Sequence, residues 1–211
     1  MSNYVEVEIP VSQDAEWFRC LRKKMSERGI DVKWQNGYFH ITLVFIMNVP
    51  DDVFIYSILY KSLEYKVGPM LSLDKLDAFT TSSGQHVIYL TSSNPSKDFI
   101  DMVDSVREAI NSSGCDYSPE FILHVTLGRV ASDQYSVEEL KEIIQEVEMP
   151  SFTIQLKTAR HLRYPDHRVM DTWTFFQDEK SAKEAYEERV RRAFRNAFGN
   201  IQLYTDPDKF E

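Results

Sequence analysis

The chain has 211 residues, 43% of them hydrophobic and 13% aromatic, and carries a formal net charge of -9. That apolar content can bury one sizeable core and excludes a disordered chain, while the acidic balance argues against a protein built to grip a long phosphate backbone. The two cysteines, Cys20 and Cys115, have neither metal-ligand spacing nor the density of a disulfide scaffold, and read as thiols of a reducing cytoplasm.

Tyr4 to Val11 alternates Val5, Val7 and Ile9 against Glu6, Glu8 and Pro10, which predicts a strand with one wet face. Ser12 or Asp14 then caps a helix to about Arg28, with Trp17, Leu21 and Met25 at helical spacing and Gly29 ending it. Val32–Trp34 and Tyr38–Met47 read as strands joined by a hairpin turn at Asn36-Gly37. Asp51-Asp52 opens a second helix to about Tyr65, which Gly68-Pro69 breaks. Leu71 to Thr80 and His86 to Thr91 are expected as two strands around the polar turn Thr81-Ser82-Ser83-Gly84. Asn94-Pro95-Ser96 starts a helix to about Asn111, with Phe99, Val103, Val106 and Ile110 on one face. After the break at Ser112-Ser113-Gly114 come a strand over Glu120–Val130 and an acidic helix over Val137–Val147. Strands near Phe152–Leu156 and Trp173–Phe176 follow, separated by a basic loop over Thr158–Val169 that holds Arg160, His161, Arg163, His167 and Arg168. A charged helix over Glu179–Phe198 closes the pattern, with Ala182, Ala185, Tyr186, Val190, Ala193, Phe194 and Ala197 on its buried side.

Each half of the chain thus offers a strand, a helix and a strand containing His-x-Thr-Leu: His40-Ile41-Thr42-Leu43 and His124-Val125-Thr126-Leu127, 84 positions apart. At this composition one His acquires Thr-Leu at those offsets roughly three times in a thousand, so two copies are a specific signal where one would not be. Residues two apart in a strand share a face, so each His projects beside its Thr. Phe39, Ile41, Leu43 and Phe45, and in the second copy Phe121, Leu123, Val125 and Leu127, point into the core. Two imidazoles can hold the base and acid roles that phosphoester cleavage needs near neutral pH, and two hydroxyls can donate to the phosphoryl oxygens. No metal or other cofactor is required by that arrangement.

The paired motif resembles the 2H phosphoesterase superfamily, which includes RNA 2′,3′-cyclic phosphodiesterases (also called 2′-5′ RNA ligases) and 2′-5′ phosphodiesterases. The second copy extends to His124-Val125-Thr126-Leu127-Gly128-Arg129, similar to the family's His-x-Thr-Leu-x-Arg. The resemblance implies that His40 and His124 act as general acid and base, Thr42 and Thr126 as phosphate donors, and Arg129 as a phosphate contact. It also implies an α+β fold of two pseudo-symmetric lobes, each an antiparallel sheet with flanking helices, around a central groove. The chain departs from the pattern at Val44-Phe45-Ile46-Met47-Asn48, where the family often has Lys-Phe-Leu-Gly, and in the helix beyond Glu179.

Tyr38 and Tyr117 flank the motifs and are candidates to stack on a base. The basic loop is a candidate to bring positive charge to the substrate; His86, on a strand, reads as structural. The expectation is therefore a two-lobed domain over residues 1–178 with a helical extension over 179–211 packed on it. The protein is expected to be a cytoplasmic monomer with no secretory signal, no membrane span and no metal, acting on a small nucleotide or short oligonucleotide. A non-catalytic nucleotide-binding module that keeps the groove, and an interaction scaffold working through the last helix, are the rival readings.

Overall fold

The computed structural model describes residues 2–49, 52–131 and 135–198. Along the chain run β1 (Ser2–Ile9), α1 (Glu16–Glu27), β2 (Lys33–Trp34), β3 (Phe39–Met47), α2 (Asp52–Leu63), β4 (Met70–Leu73), β5 (Lys75–Thr80) and β6 (Gln85–Thr91). Then come α3 (Lys97–Ser112), β7 (Asp116–Tyr117), β8 (Val125–Ala131), α4 (Val137–Gln145), β9 (Phe152–Gln155), β10 (Thr158–Tyr164), β11 (Arg168–Thr174) and α5 (Glu179–Phe198). The fold is α+β, and every pairing between these strands is antiparallel.

Two sheets carry the architecture. One has the order β11-β10-β1-β3-β7 and the other β2-β8-β6-β5; β4 and β9 form a separate two-stranded ribbon. The first sheet therefore draws on both ends of the sequence, because the β10–β11 hairpin returns to lie beside β1. Helices cover the backs of the sheets through periodic apolar faces: Trp17, Phe18, Leu21 and Met25 of α1, Phe99, Val103, Val106 and Ile110 of α3, and Leu140, Ile143 and Ile144 of α4 are all buried in one core. Local chemistry sets where helices begin. Ser96 accepts from the Phe99 amide, and Ser136 with Glu139 forms a reciprocal capping box.

Several expected boundaries move. At α1 the capping position is Ala15 and neither Ser12 nor Asp14 caps the helix; the Ser12 hydroxyl accepts from the Asp14 amide instead. Asp51, expected to open α2, lies outside the described residues, and that helix ends at Leu63 with Tyr65 in the left-handed region. The Asn36-Gly37 turn does not close a hairpin. β2 pairs with β8, while β3 pairs with β1 and β7, so the turn carries the chain from one sheet to the other. Val32 and Trp34 pack directly over Gly128, where a Cβ would stand 2.6 Å from Val32 Cγ1 and 2.9 Å from Trp34 Cε3; that contact selects the partner strand.

The stretch expected as one strand from Leu71 divides into β4 and β5, and the strand expected from Glu120 begins only at Val125. The strand expected at Trp173–Phe176 ends at Thr174, the last residue of β11. The basic loop is mostly β-structure, formed by β10 and β11. Its charges conceal this, because the inward His161 is fully buried between Asn3 and Asp171: its Nε2 accepts from Asn3 Nδ2 at 2.9 Å and its Nδ1–H donates to Asp171 at 2.9 Å. Of the apolar stripe expected to bury along α5, Ala182 is buried and Ala185 and Val190 are half-buried, whereas Tyr186, Ala193, Phe194 and Ala197 are exposed. Its N-terminal half is held by Tyr186 against Tyr65 and by Arg189 over the Tyr60 ring. Among the described residues no helix is long and apolar enough to cross a membrane.

Candidate active site

His40 and Thr42 lie half-buried on β3 of the first sheet; Thr126 lies on β8 of the second, with His124 just ahead of that strand. The two sheets bring them to one cleft. Its larger hollow, about 540 Å³, is lined by His40, Thr42, Tyr38, Gln35, Arg129, Tyr4, Phe45, Tyr164 and His167. A smaller hollow of about 230 Å³ is lined by His124 with Arg107, Phe121 and Ile122, and shares Thr42 and Phe45 as its common wall with the first. Thr126 and Arg129 line a third recess beside Gln35 and Trp34. Tyr117 is the sequence candidate that stays away from these walls: it pairs with Ile46 and lies under the Arg107 guanidinium at 5.1 Å. Arg107 is in turn bonded to the Ser118 and Pro119 carbonyls, so that aromatic–cation pair fixes a loop.

Both motif strands break register at the same place. Thr42 opposes Glu6 and Val44 opposes Val5, which leaves Leu43 without a partner; Thr126 opposes Tyr89 and Gly128 opposes Ile88, which leaves Leu127 likewise. The leucine of each His-x-Thr-Leu is thus the extra residue of a β-bulge, and both leucines are fully buried. A bulge shifts the two-residue alternation by one, so a residue three after the threonine joins the threonine's face. This is why Arg129 reaches the cleft. It is also why Phe45, expected in the core, instead faces the cleft beside Thr42.

The two imidazoles are held differently. The His124 Nδ1–H donates to the Ile122 carbonyl at 2.7 Å, leaving Nε2 as the acceptor nitrogen of the neutral ring, and the rings of Phe79 and Tyr89 stand edge-on at 5.5 and 6.1 Å. Burial lowers its pKa, the Ile122 carbonyl opposes that, and the Arg129 charge adds to the lowering. His40 Nδ1 is buried without a hydrogen-bond partner among the described residues, and its Nε2 lies 3.7 Å from the Glu6 carboxylate. Burial, followed by the charges of His124, Arg160, His167 and Arg129, pushes the His40 pKa down to about 4.

Glu6, expected on a wet face, is fully buried. β1 is the middle strand of five, and its cleft side is roofed by Tyr38, whose hydroxyl donates to Glu6 at 3.4 Å, and by Arg160 at 3.3 Å. Arg160 also reaches Glu8 at 3.1 Å and lies 4.5 Å over the Tyr38 ring. Burial raises the Glu6 pKa to about 7, with Arg160 and the Tyr38 hydroxyl pulling the other way. Of the expected basic loop, His167 lines the cleft, Arg160 packs on Glu6 and Tyr38, and His161 is structural. His86 is structural as expected, donating from Nε2 to the Tyr135 carbonyl at 2.8 Å and accepting from Thr80. Among the described residues, no three His, Cys, Asp or Glu side chains gather in a group that could hold a metal ion.

Residues 90–167, which contain the second motif, match the family model described as LigT like phosphoesterase. The resemblance to the 2H phosphoesterase superfamily holds. No curated protein matches the chain in sequence. Solved structures share its fold at low identity. TT0787 of Thermus thermophilus aligns with a TM-score of 0.58 and 14% identity, over 85% of this chain and 100% of that one. E. coli LigT complexed with 3′-AMP gives 0.55 and 19%, over 83% and 98%. Kluyveromyces marxianus Usb1 with uridine monophosphate gives 0.54 and 9%, over 82% and 98%.

Proposed function

We propose that the chain is a phosphodiesterase that cleaves a small nucleotide-type ester through its two histidines, without a metal: a 2′,3′-cyclic phosphate, a 2′-5′ linkage or a cyclic oligonucleotide. One observation carries this reading. Thr42 forms the wall common to the hollow of His40 and the hollow of His124, so a phosphoryl group resting on Thr42 has an imidazole toward each side. The match to LigT like phosphoesterases supports phosphodiester chemistry in general. The nucleotides bound by E. coli LigT and by Usb1 support a nucleotide as ligand.

In this reading His40 is the base. Burial and the surrounding positive charge keep it neutral, free to take a proton from water or from a ribose hydroxyl as the new P–O bond forms. His124 is the acid: its Nδ1–H on the Ile122 carbonyl supports the imidazolium, which gives its proton from Nε2 to the departing oxygen. The hydroxyls of Thr42 and Thr126 and the Arg129 guanidinium donate to the non-bridging oxygens.

These roles fix a pH profile. kcat/KM rises as His40 loses its proton, near pH 4, and falls as His124 loses its own, below histidine's ordinary 6.5. The optimum is expected on the acid side of neutrality. The measurement is initial rates from about pH 3.5 to 9 on 2′,3′-cyclic nucleotides, 2′-5′ and 3′-5′ oligoadenylates and cyclic dinucleotides, in excess chelator. Loss of activity in chelator, or no turnover over the whole panel, defeats the proposal; an optimum on the alkaline side of neutrality defeats the assignment of roles.

A further inference from the structure

We infer that Glu6 serves the reaction as a positioning residue: its buried carboxyl orients the His40 imidazole and, once ionised, strengthens it as a base. The inference rests on the two-histidine reading for the role of His40. Strand register builds the arrangement. β1 lies between β10 and β3, and Glu6 stands directly opposite Arg160 on one side and Thr42 on the other. A fully buried carboxyl on a central strand costs stability that an apolar side chain would not, so the fold alone does not account for it.

The two histidines differ in how their rings are steadied. His124 is fixed through Nδ1 to a backbone carbonyl, whereas His40 Nδ1 has no partner among the described residues. The polar neighbour of His40 is on its other nitrogen: Glu6 Oε2, 3.7 Å from Nε2. The same oxygen accepts from the Tyr38 hydroxyl at 3.4 Å, and the Tyr38 ring packs 5.5 Å from the imidazole. Carboxyl, phenol and imidazole therefore form one packed group, with Arg160 beside the carboxyl.

The ionisable groups around Glu6 are Tyr4 and Glu8 on its own strand, His40 on β3, Tyr38 ahead of that strand and Arg160 on β10. Around His40 stand the cationic or cation-forming His124, Arg160, His167 and Arg129. Glu8 is exposed and held by Arg160, which leaves Glu6 to answer an imidazolium charge. Below neutrality Glu6 keeps its proton, its pKa being raised to about 7, and His40 is a weak base. Above it a carboxylate faces Nε2. As His40 takes the nucleophile's proton and the new P–O bond forms, the Nε2–H so made donates to that carboxylate, which stabilises the imidazolium against the surrounding cations.

The test compares the wild-type chain with Glu6→Gln, by kinetics and by NMR titration of the His40 ring. Initial rates on 2′,3′-cyclic AMP, 2′-5′ diadenylate and cyclic di-AMP are taken from about pH 5 to about pH 8.5. The wild-type advantage in kcat is expected to grow roughly three- to thirtyfold over that range, with KM little changed. Stability runs the other way, since the carboxylate weakens the fold as it ionises, so a growing advantage is not a folding effect. An advantage that stays constant with pH, or a loss confined to KM, overturns the inference. In the NMR titration the wild-type His40 ring is expected to register a step near pH 7 that is missing in Glu6→Gln. Its absence from the wild-type chain overturns the inference even if the variant does not fold. A step near pH 7 without hydrolysis of any diester leaves the coupling of Glu6 to His40 standing and removes the phosphodiesterase reading; hydrolysis with a pH-independent advantage does the reverse.

Discussion

His40→Ala and His124→Ala are each expected to lower kcat about 10²- to 10⁴-fold, the usual contribution of a positioned acid or base. The double variant should be little slower than the worse single one. Both imidazoles are assigned to one displacement, and groups that act as a unit are not additive when removed one at a time. Alanine opens space in a half-buried position without adding charge, so the fold should survive, and near-ultraviolet circular dichroism checks that it does. Multiplicative losses would mean that the two histidines serve separate steps or separate sites. An unchanged rate in either variant would remove that residue from the chemistry.

Glu6→Gln should change how stability depends on pH. Glu6 is fully buried and its pKa is raised from 4.5 to about 7, so its folded form holds a proton more tightly than its unfolded form. Such a group contributes its full stability below pH 4.5, and that contribution is lost as pH rises through about 7. At about 1.4 kcal/mol per pKa unit, the wild-type chain should lose roughly 3 kcal/mol more than Glu6→Gln between about pH 4.5 and 8. Glutamine can still accept the Tyr38 hydroxyl, and Arg160 keeps Glu8. Urea denaturation of both proteins at the two pH values measures the difference; parallel losses would show that Glu6 ionises freely in the folded protein.

The helices were largely legible because their signals are local. The spacing of Phe99, Val103, Val106 and Ile110 and the Ser96 cap lie within one element, and the structure buries that face and uses that cap. The paired His-x-Thr-Leu was legible for the same reason: alternation places each histidine beside its threonine whatever the partner strand is. What alternation could not show is the bulge at each leucine, since an unpaired residue is created by the register of the neighbouring strand. Arg129 was placed on the phosphate only through the resemblance, and Phe45 was assigned to the core.

Partner choice was also hidden. Asn36-Gly37 is a strong local turn signal, but Val32 and Trp34 find their close-packed seat on Gly128, which is distant in sequence. Glu6 and His161 read as surface residues because their types usually are. Each is buried by partners from elsewhere in the chain: Arg160 and Tyr38 for one, Asn3 and Asp171 for the other. α5 shows the opposite error, since its apolar stripe continues past Val190, where its side chains stand exposed.

The most direct measurement is a crystal structure of the chain with a bound nucleoside 2′-phosphate. The phosphorus is expected between the two rings, with His40 and His124 each within hydrogen-bond reach of a phosphate oxygen and the Thr42 and Thr126 hydroxyls on the remaining oxygens. A phosphate held by one histidine alone, or seated outside the cleft, would contradict it.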